Sequence, residues 1–227
     1  MKLEDKKNRR RQQIIAAAEE LVRETGSTDF SMHTLASPAG FSTPTTYNLI
    51  GSKGTVLYIL LNQYQDRLDN SLLRLKSSAD PFEHVLHAAD GAVKVYTADS
   101  AFIRSLMRFL LGIPDPVHRP AFMTRGYQYW WRAFQDLERQ GYLGKTLSID
   151  DVSRDFVVFF SGVIDFWVHE ELDDEQFHLQ ARVGVLMRLL AIANDKTTQL
   201  KLQTQLQKCH KKMKPLYKAP TDQHSKT

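Results

Sequence analysis

The stretch GFSTPTTYNLIGSKG, residues 40–54, decides the fold. Gly40 can adopt the positive φ of a tight turn, and Ser42 is a preferred N-cap residue. Pro44 fits the first turn of a helix, where a missing N–H leaves no helical hydrogen bond unmade. The stretch therefore predicts a tight turn followed by a short helix that begins at Thr43.

A second short helix is predicted immediately before this turn. Ser31 can cap it, and it runs through Thr34, Leu35 and Ala36. Two short helices joined by a glycine-containing turn form a helix-turn-helix. Pro38 falls inside the first of the two helices and removes a hydrogen bond, which predicts that this helix is bent or shortened.

The segment GSKG, residues 51–54, resembles part of a loop that binds the phosphates of a nucleotide, but it lacks the spacing of such a loop. That loop reads GxxxxGK[ST] and lies between a strand and a helix. Lys53 instead opens the next predicted helix, where its amine and the helix N-terminus both favour a backbone phosphate of DNA.

The predicted second helix carries short hydroxyl, amide and phenol side chains on what we expect to be its exposed face. Such groups suit phosphate oxygens and base edges in a major groove. We therefore predict DNA contacts from Ser42, Thr43, Thr45, Thr46, Tyr47, Asn48 and Lys53. The alternative interpretation of the spacing is an ordinary helical hairpin that happens to be rich in threonine.

Apolar residues recur at helical spacing along the rest of the chain, and no alternating run of useful length is found. The predicted fold is all-α, with a three-helix helix-turn-helix DNA-binding domain at residues 1–55. A larger helical domain for effector binding and dimerisation is predicted at 56–195. A basic helix and a polar, disordered tail are predicted at 196–227.

Charge is distributed unevenly along the 227 residues, whose net charge is +4. Residues 196–227 hold eight Lys or Arg residues and one acidic residue, whereas residues 61–195 carry a net charge of −5. Basic ends favour contact with a polyanion, although charged tails also simply keep proteins soluble. The tail helix is expected to pack on the core, with a membrane-surface or second DNA contact as the alternative.

The chain contains a single cysteine, Cys209, which excludes an intrachain disulfide and fits a reducing compartment. No signal peptide and no membrane span are recognisable, so we expect a cytoplasmic protein without membrane contact.

Two segments, IIAAAEELVRETG and SMHTLASPAGFSTPTTYNLIGSKGTVL, together resemble the DNA-binding domain of the TetR family of bacterial regulators. The match covers about residues 10–57 and departs from the family at Leu49 and Ile50. The resemblance implies that Thr43 to Asn48 lie on the recognition helix and that Tyr47 and Lys53 contact phosphates. It also implies that Arg9, Arg10 and Arg11 form an N-terminal arm against the DNA.

The resemblance further implies that the larger half holds an effector pocket and a dimer face. Helices 149–169 and 174–193 are the predicted homodimer face, although both could be monomer core. Aromatic stripes are usually core, but the number of aromatic residues here also fits an apolar ligand cavity. The predicted ligand contacts are Phe102, Leu106, Phe109, Tyr127, Trp130, Trp131, Phe134, Phe160 and Trp167.

Other polar pairs carry weaker signals. Arg104 and Arg108 lie one helical turn apart and could meet a carboxylate, although such pairs are usually surface. His84 and His87 lack further metal ligands nearby, and no residue pattern indicates a catalytic centre, a metal ion or a cofactor.

The sequence therefore predicts a dimeric regulator that binds a palindromic operator in double-stranded DNA. A small apolar effector would release this repressor from its operator. The competing prediction is an all-helical enzyme or lipid-handling protein that uses the aromatic cavity.

Overall fold

The structure, a computed structural model, describes residues 3–75, 80–144 and 146–216. Ten α-helices account for the secondary structure of the described residues, so the all-α prediction is confirmed. They are α1 (Leu3–Thr25), α2 (Met32–Ala36), α3 (Thr43–Ile50), α4 (Lys53–Leu73), α5 (Pro81–Thr97), α6 (Ser100–Gly112), α7 (Arg119–Arg139), α8 (Ile149–Val168), α9 (Asp174–Ile192) and α10 (Lys196–His210).

Three consecutive helices begin with the same local pattern, a serine followed three positions later by a threonine. The hydroxyls of Ser31, Ser42 and Ser52 accept the backbone N–H of Thr34, Thr45 and Thr55, respectively. In each pair the serine and threonine hydroxyls also lie within 2.8–3.1 Å of one another. Because these bonds satisfy N–H groups that have no helical partner, the starts of α2, α3 and α4 are fixed locally.

The helix before the turn is shortened, as Pro38 predicts. Helix α2 ends at Ala36 after five residues, and the chain then turns through Gly40, whose φ is 76°. The N–H of Phe41 donates to the Ala36 carbonyl over 3.0 Å and closes the turn. Glycine fits this turn because other residues are strained at positive φ.

Helices α1, α2 and α3 pack around the first turns of α4 and share an apolar core. Ile14 and Ala18 of α1, Leu35 of α2, and Val56 and Leu57 of α4 are all fully buried. Helix α4 then continues for several turns into the larger part of the molecule, so one rigid element belongs to both halves.

The larger part is built from α4 to α9, and α8 is the most apolar of these helices. Ser148 and Asp151 form the predicted capping box at the start of α8. Gly184 of α9 allows a close approach, because a Cβ atom there would clash with the ring of Phe159. Gly162 of α8 has no atom within contact distance of such a Cβ, so it does not serve that purpose within the protomer.

The tail helix α10 packs on α9, as predicted. Its Leu202 and Cys209 side chains are buried, and Lys201 forms ion pairs with Asp80 and Glu83 at 2.7 and 2.9 Å. The predicted disordered tail lies in residues 217–227, outside the described residues. None of the helices in the described ranges combines the length and apolarity that crossing a membrane requires.

Candidate nucleic-acid interface and ligand cavity

Helix α3 presents one polar face to solvent. Tyr47 is 50% exposed, Asn48 is exposed, and Thr43 and Thr45 are partly exposed. The hydroxyl of Ser42 is engaged in the helix cap, where it accepts the Thr45 N–H over 3.3 Å. The exposed groups can both donate and accept hydrogen bonds, as contacts to phosphates and base edges require.

Thr46 does not belong to this exposed face, and the expectation that it would is wrong. Its exposed fraction is 0%, and it lies on the inner side of α3 with Ile50. The Thr46 hydroxyl donates to the Ser42 carbonyl over 3.1 Å. Because its polar atom is satisfied within its own helix, a threonine can be buried here at little cost.

The N-terminal arm predicted from the resemblance is helical in the structure. Helix α1 begins at Leu3, so Arg9, Arg10 and Arg11 all lie on a helix. Arg9 and Arg10 are exposed, whereas the Nε of Arg11 donates to the Leu49 carbonyl over 2.7 Å. Arg11 therefore satisfies a carbonyl of the last turn of α3, a favourable position for a cation.

Lys53 is the first residue of α4, as predicted, and it is partly buried. Its ammonium lies 5.3 Å from the centre of the Phe30 ring. The side chain is thus held by its apolar stem and by the ring face, beside a helix N-terminus that favours anions.

A hydrogen-bonded chain connects the first turn of α4 with the loop between α6 and α7. The Thr55 hydroxyl lies 3.2 Å from Nε2 of His118, and Nδ1 of His118 lies 2.9 Å from Asp115. The His118 ring also stacks on Tyr58, with 5.2 Å between ring centres. The backbone N–H of His118 donates to Asp115 and, above all other contacts, keeps the pKa of that carboxyl below its ordinary value.

A second connection joins the end of α1 to the start of α6. Ser105 donates its hydroxyl to the Gly26 carbonyl over 2.8 Å, and Arg23 pairs with Asp99 at 2.6 Å. The Arg23 guanidinium also lies 4.2 Å from the centre of the Phe102 ring. The end of α1 is therefore attached to the start of the α6 region, and the first turn of α4 is attached to the loop that follows α6.

Three small neighbouring cavities lie between α4, α5, α6, α7 and α8, with volumes of about 60, 40 and 10 Å³. Gln65 and Tyr96 line all three of them. The largest one has partly exposed residues on α6, α7 and α8 along its rim, among them Leu111, Met123 and Ser161. These positions place the mouth of the cavity between those three helices.

Three of the predicted ligand contacts line these cavities. Trp130 and Phe160 border the two larger ones, and Leu106 borders the smallest. The other six side chains do not line these three cavities: Phe102, Phe109, Tyr127, Trp131, Phe134 and Trp167.

Aromatic packing and hydrogen bonding account for these six positions. Phe134 meets Phe156 edge to face at 4.6 Å, and Trp167 stacks on Phe177 at 4.9 Å. The Tyr127 hydroxyl donates to Asp150 at the start of α8. Phe102 and Phe109 contact Tyr64 and Tyr58, and Trp131 packs against the core.

Gln65 is the cavity residue that the sequence analysis missed. Its side chain is 2% exposed, and its Nε2 atom is buried without a hydrogen-bond partner. The signal was present, because Leu57, Leu61 and Leu68 mark a buried row of α4 in which position 65 is polar. A polar residue inside an apolar row is informative in a way that one more aromatic residue is not.

The other polar pairs bind groups of the protein itself. Arg104 pairs with Asp174 at 3.0 Å, and Arg108 donates to the Val168 carbonyl and to Glu170. Burial lowers the pKa of His84, which disfavours its charged form. Within the described ranges, no group of three or more His, Cys, Asp or Glu side chains is placed to hold a metal ion.

No protein-family model matches the sequence, and no curated protein matches it either. Solved structures do match the fold. A TetR-family transcriptional regulator from Pectobacterium atrosepticum superposes with a TM-score of 0.67 and is 18% identical, over 86% of this chain and 99% of that one.

Two further solved structures agree with it. FadR of Thermus thermophilus, a TetR-family repressor in complex with lauroyl-CoA, gives a TM-score of 0.64 at 20% identity, over 82% of this chain and 96% of that one. NalD of Pseudomonas aeruginosa, the secondary repressor of a multidrug efflux pump, gives 0.58 at 19% identity, over 81% and 96%. The chain therefore has the fold of the TetR-family transcriptional regulators.

Proposed function

We propose that this protein is a DNA-binding transcriptional regulator of the TetR type, which acts in the cytoplasm as a homodimer. It represses by binding a palindromic operator, and a small apolar effector releases it. The observation that carries the proposal is helix α3, an eight-residue helix with one buried face and one exposed polar face.

Both ends of α3 are fixed, which supports its use as a recognition helix. The Ser42 cap holds the first turn, and the Arg11 side chain holds the Leu49 carbonyl in the last turn. A rigid rod loses little conformational freedom when it enters the major groove, so its contacts translate into affinity. Tyr47, Asn48, Thr43 and Thr45 would make these contacts, and Lys53 would bind a neighbouring phosphate.

The proposal assigns the same functions to the same parts of the chain as were predicted from the sequence. Residues 1–55 would bind DNA, residues 56–195 would bind the effector and form the dimer, and the basic tail would extend beyond them. Val158 on α8 and Met187 on α9 are 68% and 56% exposed, as a dimer face requires.

The cavities between α4 and α8 supply the effector site in this proposal. Apart from Gln65, Tyr64 and Ser161, their lining is dominated by apolar and aromatic side chains. The FadR structure contains lauroyl-CoA, whose acyl chain is apolar although its CoA part is charged, which supports the binding of an apolar chain by this fold. The effector can release DNA only if it binds the released conformation more tightly than the DNA-bound one.

DNA binding by the full chain tests the proposal directly. Fragments of the genome that contain the protein's own gene would be screened by gel shift, and the retained site would be titrated by fluorescence anisotropy at several salt concentrations. We expect saturable binding whose log affinity falls linearly with log salt.

A matched pair of lysine variants completes the experiment. Lys53→Ala should weaken binding several-fold for every sequence and reduce the salt slope by about one. Lys94→Ala, an exposed lysine on α5, is the control and should bind as wild type does. Equal binding by both variants would exclude this docking geometry, and failure to bind any fragment would favour the enzyme or lipid-handling alternative.

A further inference from the structure

We infer that the effector is an uncharged, mainly apolar molecule with one hydrogen-bond acceptor, such as a ketone or ester oxygen, and that Gln65 binds this acceptor. The role of this molecule as an effector rests on the proposed function, whereas its binding to the cavity does not. It follows from the polarity of the cavity walls.

Gln65 is, with Tyr96, one of the two residues that line all three cavities. It lies on the inner row of α4 and is 2% exposed, so its amide faces protein and cavity rather than solvent. Its Nε2 donor has no partner in the protein. A buried donor without a partner costs stability, because its hydrogen bonds to water are lost and not replaced.

This cost disappears when a ligand brings an acceptor into the cavity. An acceptor oxygen beside Nε2 would gain a hydrogen bond in surroundings of low dielectric, where such bonds are strong. The polar group that destabilises the empty protein thus becomes a source of affinity and specificity.

Two tyrosines neighbour Gln65 in the wall of the smallest cavity. Tyr64 and Tyr96 line the smallest cavity together with Gln65, and the Tyr64 hydroxyl is also buried without a partner. Burial raises the pKa of both phenols, so both remain protonated at neutral pH and able to donate. The Gln65 amide nitrogen can only donate, so an acceptor on the ligand is what would satisfy it.

The cavity walls also argue against a charged ligand. None of the residues that line the three cavities is charged. A carboxylate or ammonium placed there would lose its hydration without gaining an opposite charge, which is strongly unfavourable.

The largest of the three cavities measures about 60 Å³, so its walls must move to admit such a molecule. Met107 and Met123 line the largest cavity, and methionine side chains adapt readily to irregular shapes. Gly126 lies on the wall of both larger cavities, and a Cβ atom there would meet no atom within 4 Å. Open space beside Gly126 provides a position at which the site can be blocked by substitution.

The test uses three soluble probes of similar size on the full chain without DNA. Acetophenone carries an acceptor, ethylbenzene lacks one, and benzoate is charged. Dissociation constants would be measured by calorimetry and by the ligand-dependent rise in Tm, for wild type and for Gln65→Met. We expect acetophenone and ethylbenzene to bind wild type and benzoate to bind at least tenfold more weakly than acetophenone.

The decisive quantity is the preference for acetophenone over ethylbenzene. Gln65→Met keeps the length of the side chain and removes the donor, so it should reduce this preference about fivefold to tenfold. Gln128→Met, an exposed glutamine on α7, is the control and should leave the preference unchanged. The Tm of ligand-free Gln65→Met should equal or exceed that of wild type, which verifies its folding.

A third variant locates the site. Gly126→Leu should abolish binding of both neutral probes, because its side chain fills the open space. Any of three results would overturn the inference. Gln65→Met could weaken both neutral probes equally, benzoate could bind as tightly as acetophenone, or acetophenone could fail to bind wild type. Because none of these measurements involves DNA, they can fail while DNA binding succeeds, and the reverse.

Discussion

At the scale of single residues, Thr46 and Tyr47 show that adjacent positions on one helix can have different roles. They are neighbours in α3, yet Thr46 is fully buried and Tyr47 is half exposed. The two side chains point to opposite sides of the helix, so a variant of one should affect folding and a variant of the other should affect binding.

We predict opposite outcomes for Thr46→Val and Tyr47→Phe. Thr46→Val keeps the shape but removes the bond to the Ser42 carbonyl, and should lower the free energy of unfolding by about 0.5–1.5 kcal/mol. Tyr47→Phe should leave stability within about 0.5 kcal/mol and weaken DNA binding about fivefold. Denaturant titration and anisotropy measure the two effects, and weaker DNA binding by Thr46→Val alone would reverse our assignment of faces.

The same pair shows what the sequence could and could not predict. The Ser42 cap and the position of Pro44 depend on local geometry, so they could be recognised from residue types. The burial of Thr46 depends on which side of α3 meets α1 and α2, and the unpaired amide of Gln65 depends on five helices. Long-range packing decides both: residue type suggested an exposed position for Thr46, and nothing was predicted from the sequence for Gln65.

At the scale of helices, the contact between α4 and the α6–α7 loop links the candidate interface to the candidate cavity. Thr55 and His118 are 63 residues apart in sequence and 3.2 Å apart in space. Leu110 and Leu111 lie near the end of α6, a few residues before this loop. Both line the largest of the three cavities between α4 and α8. A ligand that moves the end of α6 would therefore act directly on the first turn of α4.

We predict that Thr55 and His118 are energetically coupled. Thr55→Val and His118→Phe should each reduce stability by about 1 kcal/mol, and the double variant should lose less than the sum, with a coupling of about 0.5–1.5 kcal/mol. Phenylalanine retains the stacking on Tyr58. As a control, Thr55→Val combined with a variant of exposed His87 should be additive, and additivity in the first pair would disprove the link.

Helix boundaries were largely predictable, whereas contacts between helices were not. Capping residues such as Ser148 and Asp151 fixed the start of α8, which was expected at 149–169 and is observed at Ile149–Val168. The helical conformation of the N-terminal arginines was not predicted, because nothing local distinguishes a helical basic segment from an extended one. Arg11 finds its partner, the Leu49 carbonyl, only after α3 has packed on α1.

At the scale of the whole molecule, the α8–α9 pair leaves apolar side chains in contact with water. Val158→Asp and Met187→Asp should each convert the proposed dimer to monomers, because burying an unpaired charge at an apolar interface is costly. Light scattering after gel filtration measures the mass. Val117→Asp, at an equally exposed valine in the α6–α7 loop, should remain dimeric, and dimers in all three variants would place the interface elsewhere.

Acid should destabilise the fold through carboxylates at helix starts. The backbone N–H of Thr198 lowers the pKa of Asp195, that of Gln176 lowers the pKa of Asp173, and the Ser148 hydroxyl lowers that of Asp151. A carboxyl whose pKa is lower in the folded state binds fewer protons there than in the unfolded state. Its stabilisation is present above the ordinary value of 3.8 and is lost as the pH falls through the folded pKa.

Asp195→Asn isolates one of these groups, because asparagine also caps helices but does not titrate. We expect Tm measured between pH 5 and pH 2 to fall less steeply for this variant than for wild type, with the two curves converging at the acid end. Parallel curves would show that Asp195 does not contribute to the acid sensitivity.

The segment from α1 to the first turn of α4, which contains α2 and α3, is attached to the α6 region at its two ends: Gly26 bonds to Ser105, and Thr55 contacts His118. A body held at two points can swing about the line through them but cannot slide along its support. Any displacement between α6 and α7 would thus become a change in the angle at which α3 leaves the molecule. In the proposed homodimer, a swing of a few degrees in each copy would double the change in angle between the two α3 helices. The two helices would then no longer match adjacent turns of one DNA duplex.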